Sequence, residues 1–469
     1  MGNRSNQFSY SILLTSFLFF TILSALSEGS WGGSDSFAHY LISHYAFKYP
    51  SLFLDLWGKP LFTILSSPFS HFGFFGMRMF NVLIAILTAF FTMLITKQLN
   101  LKWGFSSIIA ILFAPVYFIL IPSGMTELLL GFVLVLAIYL FFDEKYIWSA
   151  IVVSFLPFAR NEAVVMMPFF ALAYFFRRSF VSLPFVFFGF FFFSLIGWHH
   201  FGNLFWIIKN NPYTGAAEIY GHGELLHFVK NSPEIFGIPF LIYFILGATF
   251  LCLNAKKRIE NKNHSLYVIL LVLFPALTYF VAHSYVWWTG FGGSLGLTRV
   301  MAGIVPLMAI VGASFNFDDS RKKQIIVWVL SGTMLIVPFF RYELPIKLDE
   351  STLLIKQAGN WLVQNNLESR LVYYYDPMVC YFLEKDPFDT NQVREQIANR
   401  EYPEKTVTEG SIVVWDAHFG PNEGRMPLEK LLNNPNFRLL KEIRPETPFT
   451  VLNGYNYEVY VFERVKTGL

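Results

Sequence analysis

Glu28-Gly29-Ser30-Trp31-Gly32-Gly33-Ser34-Asp35-Ser36-Phe37-Ala38-His39-Tyr40 follows directly on an apolar run, residues 8–26, and this junction decides how the 469-residue chain is built. The run is long enough to cross the hydrocarbon core of a bilayer as a helix. Beyond it, a flexible Gly/Ser stretch leads into a helical pattern that carries on to Tyr49, followed by Asp55-Leu56-Trp57-Gly58-Lys59-Pro60. A carboxylate at that point is well placed to face a ligand at the membrane surface. Asp and Ser are also favoured at helix N-caps, so a capping role stands beside the functional one for Asp35. His39, four residues on, lies on the same helical face and is a candidate contact for the same ligand.

Working outward, apolar stretches recur near 78–96, 104–121, 124–142, 146–158, 162–176, 180–199, 234–254, 265–283, 298–315 and 324–340, eleven spans with the first. The two at 146–158 and 162–176 are short and meet at Ala159-Arg160-Asn161-Glu162, which suits broken or re-entrant helices as well as two crossings. With 54% hydrophobic residues, 14% charged and a mean hydropathy of +0.47, the chain is no disordered segment, coiled coil or ordinary soluble enzyme, which would carry about 25% charge. The net charge of +3 is too small for a nucleic-acid partner. Two cysteines, Cys252 and Cys380, offer neither a disulfide framework nor a cysteine metal cluster.

Charge divides the chain near Arg341. Residues 341–469 hold 34 charged side chains and residues 1–340 hold 33, so a multi-span membrane domain (1–340) should precede a water-soluble domain (341–469). Of the 20 basic residues before the boundary, 13 fall on one set of alternate loops if the N-terminus is cytoplasmic, which orients it inside. An odd number of spans then puts the C-terminal domain outside. The long loops 27–77 and 200–233 and a Gly-rich one, 284–297, share that outer face, and long loops on one face are where sites are built.

In the C-terminal part, a helical stretch at 351–363 and strands at 370–375, 411–415, 437–442 and 458–463 read as an α/β domain. Its turn Asp416-Ala417-His418 ends a strand, where ligands bind in open α/β sheets, and suits an acceptor-binding or packing role.

Charges inside a membrane domain are costly and therefore paired or functional. Arg160 and Glu162 either pair with each other, or Glu162 and Glu127 line a cavity and hold sugar hydroxyls. Arg299, in Gly296-Leu297-Thr298-Arg299, offers paired donors to a phosphate. Lys59 is a second phosphate candidate, and Asp55 precedes it in the same loop. Tyr213 and Tyr220 of the second long loop suit stacking and hydrogen bonding to a sugar. His199, His200, His222 and His227 match no zinc spacing.

A first span, a long outer loop with an early Asp, many further spans and an extracytoplasmic C-terminal domain together resemble the GT-C membrane glycosyltransferases, mannosyltransferases among them, which take sugars from polyprenyl-phosphate carriers. The resemblance implies a mostly α polytopic fold with a small C-terminal α/β domain. It also implies a polyprenyl-phosphate-linked sugar donor, a lipid, glycan or protein acceptor, and a place in the cell envelope at a bacterial inner membrane. Asp35 matches the family's first-loop catalytic carboxylate, Phe158-Ala159-Arg160-Asn161-Glu162 its Arg-rich turn between middle spans, and Arg299 its late outer-loop arginine. Many members carry an adjacent acidic pair in the first loop, whereas here Ser36 follows Asp35, which leaves metal dependence open; no cofactor is expected. The chemistry needs a base for the acceptor hydroxyl and a cation for the departing phosphate, and one carboxylate without a second nucleophile suits inversion. A transporter or flippase of a lipid-linked saccharide is the other reading. It expects internally repeated, Gly/Pro-broken spans and no early outer-loop Asp.

Overall fold

The computed structural model describes residues 2–101, 104–212, 217–260, 265–316 and 321–465. They form two compact units: Met1–Ser27 with Pro50–Ile346, and Glu28–Tyr49 with Lys347–Leu469. The first-loop segment that carries Asp35 therefore belongs to the same unit as the C-terminal domain.

The first unit is helical because, in a bilayer, backbone groups with no water to bond must be satisfied within each segment. Among its described residues, five helices are long and apolar enough to cross a membrane: Gln7–Leu26, Gly73–Gln98, Phe180–Phe201, Leu266–Thr289 and Gln324–Arg341. A sixth crossing results if His227–Phe236 and Ile238–Leu253, bent by 110° against each other, are one span. Four further segments expected as spans form shorter apolar helices, Glu127–Phe142, Tyr146–Ala159, Asn161–Phe176 and Thr298–Ala313. The stretch expected at 104–121 is divided into Gly104–Leu112 and Pro115–Leu120, because proline lacks the amide that would continue the ladder. The chain is a multi-pass membrane protein, and its described residues are mostly α with a five-stranded sheet.

Helix α1 (Gly2–Leu26) is followed along the chain by α2 (Ser34–Tyr45), α3 (Pro60–Ser70) and α4 (Gly73–Gln98). A helix end leaves carbonyls without intrahelical partners. Arg78 of α4, 5% exposed, meets that need by donating from Nη1 to the Ser24 and Ser27 carbonyl oxygens at the end of α1. Asn81, one turn on and fully buried, donates from Nδ2 to the Ser123 and Met125 carbonyls at 2.7 and 2.9 Å. That fixes the turn leading into Glu127.

Elsewhere the helices approach through small residues, as membrane helices do. A Cβ on Gly247 would lie 2.0 Å from the Val311 carbonyl oxygen, and one on Gly312 would lie 2.3 Å from Tyr243 Cδ1.

The second unit is built on a five-stranded sheet of β1 (Val372–Tyr374), β2 (Val393–Glu395), β3 (Ile412–Asp416), β4 (Phe437–Ile443) and β5 (Val459–Arg464), in the order β2-β1-β3-β5-β4. Strands β2, β1 and β3 are mutually parallel, and β5 and β4 run antiparallel. Strand β3 is buried throughout and β5 nearly so. The helix Glu350–Gln364 starts on Asp349, whose side chain accepts from the Thr352 amide at 2.7 Å.

Packed within the same unit, α2 sets Phe37 against Tyr381 with ring centroids 4.6 Å apart, and just beyond the helix Lys48 reaches Asp386 at 2.7 Å. The Ser34 hydroxyl donates to Asp376 Oδ2 at 2.9 Å.

Candidate functional site

Inside the membrane unit the polar side chains singled out from sequence converge. The backbone is extended at Arg160 (φ −157°, ψ 128°), between the short helix Leu156–Ala159 and a 3-10 turn Asn161–Met166. The break between the fifth and sixth apolar stretches thus lies at the arginine itself. Its side chain reaches Glu127 at 2.8 Å and Glu162 at 2.5 Å, and Nη1 donates to Thr126 Oγ1 at 3.2 Å. Arg299 Nε lies 3.4 Å from Glu127 Oε1. Glu127 is entirely buried, while the side chains of Arg160 and Arg299 are 14% and 16% exposed. The pairing of Arg160 with Glu162 expected as the structural alternative is present, and Arg160 joins Glu127 as well.

Arg299 sits in a seven-residue 3-10 stretch, Thr298–Ile304. Runs of that length are uncommon and frequently mark functional segments. The preceding Gly-rich loop is anchored by His227, whose Nε2 donates to the Gly296 carbonyl at 2.8 Å. Gly296 itself has φ +64°, and a Cβ there would meet the Trp287 indole at 2.7 Å.

Lys59 lies 3% exposed at the start of α3, with φ +64° before Pro60. A left-handed lysine is a strained conformation of the kind held at ligand sites. Its ammonium donates to the Leu56 carbonyl at 3.4 Å. Burial pulls that ammonium down to about 7, while Glu162, Glu127 and Asp55 oppose the shift and Arg160 adds to it. Lys59 therefore feels both carboxylates of the cluster. Asp55, half-buried, accepts the Gly58 amide at 2.8 Å and shapes the turn that presents Lys59.

Three cations, Lys59, Arg160 and Arg299, thus share their surroundings with two carboxylates, Glu127 and Glu162. Two partners were not foreseen: Tyr279 donates its hydroxyl to Glu162 Oε1 at 3.2 Å, and His283 Nε2 lies 3.8 Å from the same oxygen. They stand four residues apart on Phe274–Thr289, so one helix face in an otherwise apolar span was the available signal.

Asp35 and His39 lie in the other unit. Helix α2 begins at Ser34 with Gly33 at its cap and no side-chain cap bond, so Asp35 occupies the first turn and is not the N-cap. It is half-buried, and His39, 5% exposed, is packed inside. Tyr220 is half-buried at the end of a one-turn helix, Ala217–Tyr220. Tyr213 lies outside the described residues.

No protein-family model matches the chain and no curated protein sequence matches it. Solved structures do. ArnT from Cupriavidus metallidurans bound to undecaprenyl phosphate superposes with a TM-score of 0.57 at 10% identity, over 96% of this chain and 97% of that one. Its apo form gives 0.56 at 10% identity, over 97% and 98%. The mycobacterial arabinofuranosyltransferase AftD gives 0.49 at 10% identity, with 97% of this chain spanning 40% of that one. The chain shares the fold of the two ArnT structures.

Proposed function

We propose that this chain is an integral membrane glycosyltransferase that moves a hexose or pentose from a polyprenyl-phosphate carrier to a hydroxyl of a lipid, glycan or protein acceptor on the extracytoplasmic side. The observation that carries this reading is the buried cluster of Lys59, Arg160 and Arg299 against Glu127 and Glu162. Buried charges persist when paired or when a ligand completes them, and a lysine and two guanidinium groups gathered in one membrane unit suit an anion. The phosphodiester of a polyprenyl-phosphate sugar carries one negative charge. Its lipid tail suits a site within a membrane unit, and the Cupriavidus protein of the same fold is bound to undecaprenyl phosphate.

Lys59 and Arg299 hold the phosphate and stabilise the charge that grows on it as the glycosidic bond breaks. Arg160 is tied to both glutamates and keeps them in place. Glu127 and Glu162 turn their remaining acceptor capacity toward sugar hydroxyls. Asp35 removes the acceptor proton as the acceptor oxygen attacks the anomeric carbon from the face opposite the phosphate, which inverts its configuration. Residues 1–340 carry the donor chemistry and 341–469 form the extracytoplasmic domain, with the N-terminus in the cytoplasm, a reading supported by the excess of basic residues on alternate loops.

The test is incubation of the purified protein in liposomes with radiolabelled undecaprenyl-phosphate mannose and undecaprenyl-phosphate arabinose, separating lipid from non-lipid products. Label should leave the carrier, and NMR of the product should show the inverted anomer. Label that stays on the carrier and only changes leaflet would support the flippase instead.

A further inference from the structure

The second unit places a group of polar side chains at the carboxyl ends of two neighbouring parallel strands. The register pairs Tyr374 of β1 with Val414 of β3, and two residues further along each strand stand Asp376 and Asp416. Both are buried, 3% and 1% exposed. Asp376 Oδ2 accepts the Ser34 hydroxyl, which ties the first turn of α2, and with it Asp35, to the end of β1. Asp416 Oδ1 accepts the amides of His418 and Phe419 at 3.0 and 2.8 Å, and Asn422 Nδ2 donates to the His418 carbonyl at 2.5 Å. The turn after β3 is thereby held with His418 half-buried. Asp35 and His418 are each fastened to the end of one of two adjacent strands, and His418 feels the charges of Glu423 and Asp35.

A separate observation points to a ligand at the same edge. The Tyr457 hydroxyl, on a side chain 1% exposed, has no hydrogen-bond partner among the described residues, and neither has Asp416 Oδ2. The charges acting on that hydroxyl are those of Asp416, Asp376 and Asp349, which sets it at the same strand ends. Buried polar atoms of this kind are rare in folded proteins and call for an explanation.

We propose that this edge is the acceptor site, and that His418 is a second acid–base residue acting on the acceptor hydroxyl together with Asp35. The inference rests on the transferase reading. As the acceptor oxygen bonds to the anomeric carbon, its O–H bond breaks and the proton passes to the Asp35 carboxylate. The bond from the anomeric carbon to the phosphate oxygen breaks, and its electron pair leaves with the phosphate. Asp35 then hands the proton to an imidazole nitrogen of His418, which releases it to water. Burial holds the His418 imidazole below its ordinary range, against the pull of Glu423 and Asp35. Asp376 and Asp416 are positioning residues.

The experiment measures transfer by the full chain in liposomes, with the donor sugar that wild type consumes and octyl glucoside as the acceptor probe, beside equilibrium binding of undecaprenyl phosphate. His418→Gln should lower kcat about tenfold or more, within the range for acid–base groups, and leave carrier affinity unchanged. Combining it with Asp35→Asn should cost no more than Asp35→Asn alone, because both act on one proton. Tyr457→Phe removes a hydroxyl that has no internal partner to lose, so the fold is kept, and the KM for octyl glucoside should rise several-fold while carrier affinity holds. Wild-type kcat in His418→Gln, a multiplicative double mutant, or an unchanged acceptor KM in Tyr457→Phe each overturn the assignment. If wild type itself neither binds undecaprenyl phosphate nor consumes donor, the transferase reading falls first and takes this assignment with it; if wild type is active and the variants match it, this assignment alone falls.

Discussion

The membrane unit and the second unit both bury charge, and they balance it in opposite ways. In the first, carboxylates are matched by guanidinium groups: Glu127 meets Arg160 at 2.8 Å and Arg299 at 3.4 Å, and Glu162 meets Arg160. In the second, Asp376 and Asp416 are buried beside hydroxyls and backbone amides, with no ion pair to either among the described residues. Burial and mutual repulsion push Asp376 up, and burial raises Asp416 to about 7. The contrast is one of chemical competence. A region that gathers three cations suits a phosphate, and a region of buried carboxyls suits a hydroxyl that gives up a proton.

The largest expected effect breaks the second half of this contrast. Asp35→Asn keeps the volume and the helix start but removes basicity. Turnover in the liposome assay should fall by about 10²-fold or more, as for other general bases, and transfer at the wild-type rate would reduce Asp35 to a structural residue.

Next comes the pairing inside the membrane unit. Arg160→Met removes the guanidinium that contacts both Glu127 and Glu162, leaving Arg299 beside the first and Tyr279 beside the second, and removing one partner of a buried pair costs about 3–5 kcal/mol. Thermal unfolding in detergent should show a large drop, partly restored when Glu127→Gln is added. An unchanged midpoint would mean that water reaches the cluster.

The smallest effect sharpens the electrostatics of Lys59. Its lowered ammonium, at about 7, is charged below that pH and loses its proton above it. A polyprenyl-phosphate sugar is a diester whose charge does not change in this range. Donor affinity should therefore weaken several-fold from pH 6 to pH 9, and Lys59→Arg, which stays charged, should flatten the dependence. A flat wild-type profile would remove Lys59 from the phosphate.

Much of this was legible one residue at a time. Glu127, Arg160, Glu162 and Arg299 stood out because charge in an apolar run needs a reason. That they meet was not legible, since Arg299 is 172 positions from Glu127 and no local pattern joins them. Tyr279 and His283 escaped notice because aromatic residues abound in every span. In the C-terminal part, β1, β3, β4 and β5 followed the expected stretches, whereas β2, three residues reading Val-Arg-Glu, carries too little apolar pattern to register. The grouping of residues 28–49 with the C-terminal domain depends on contacts such as Ser34 with Asp376, 342 positions apart. The Asp35 carboxylate itself was visible from its place after the first span, but its position past the cap depended on Gly33 starting the helix.

The division of labour between cations and carboxylate is tested most directly by equilibrium binding of undecaprenyl phosphate to wild type, Arg299→Lys and Asp35→Asn in the same liposomes. Arg299→Lys keeps the charge but loses the paired donor geometry and should bind about tenfold more weakly, while Asp35→Asn should bind as wild type does. Equal binding by wild type and Arg299→Lys, with the loss falling on Asp35→Asn, would contradict the account.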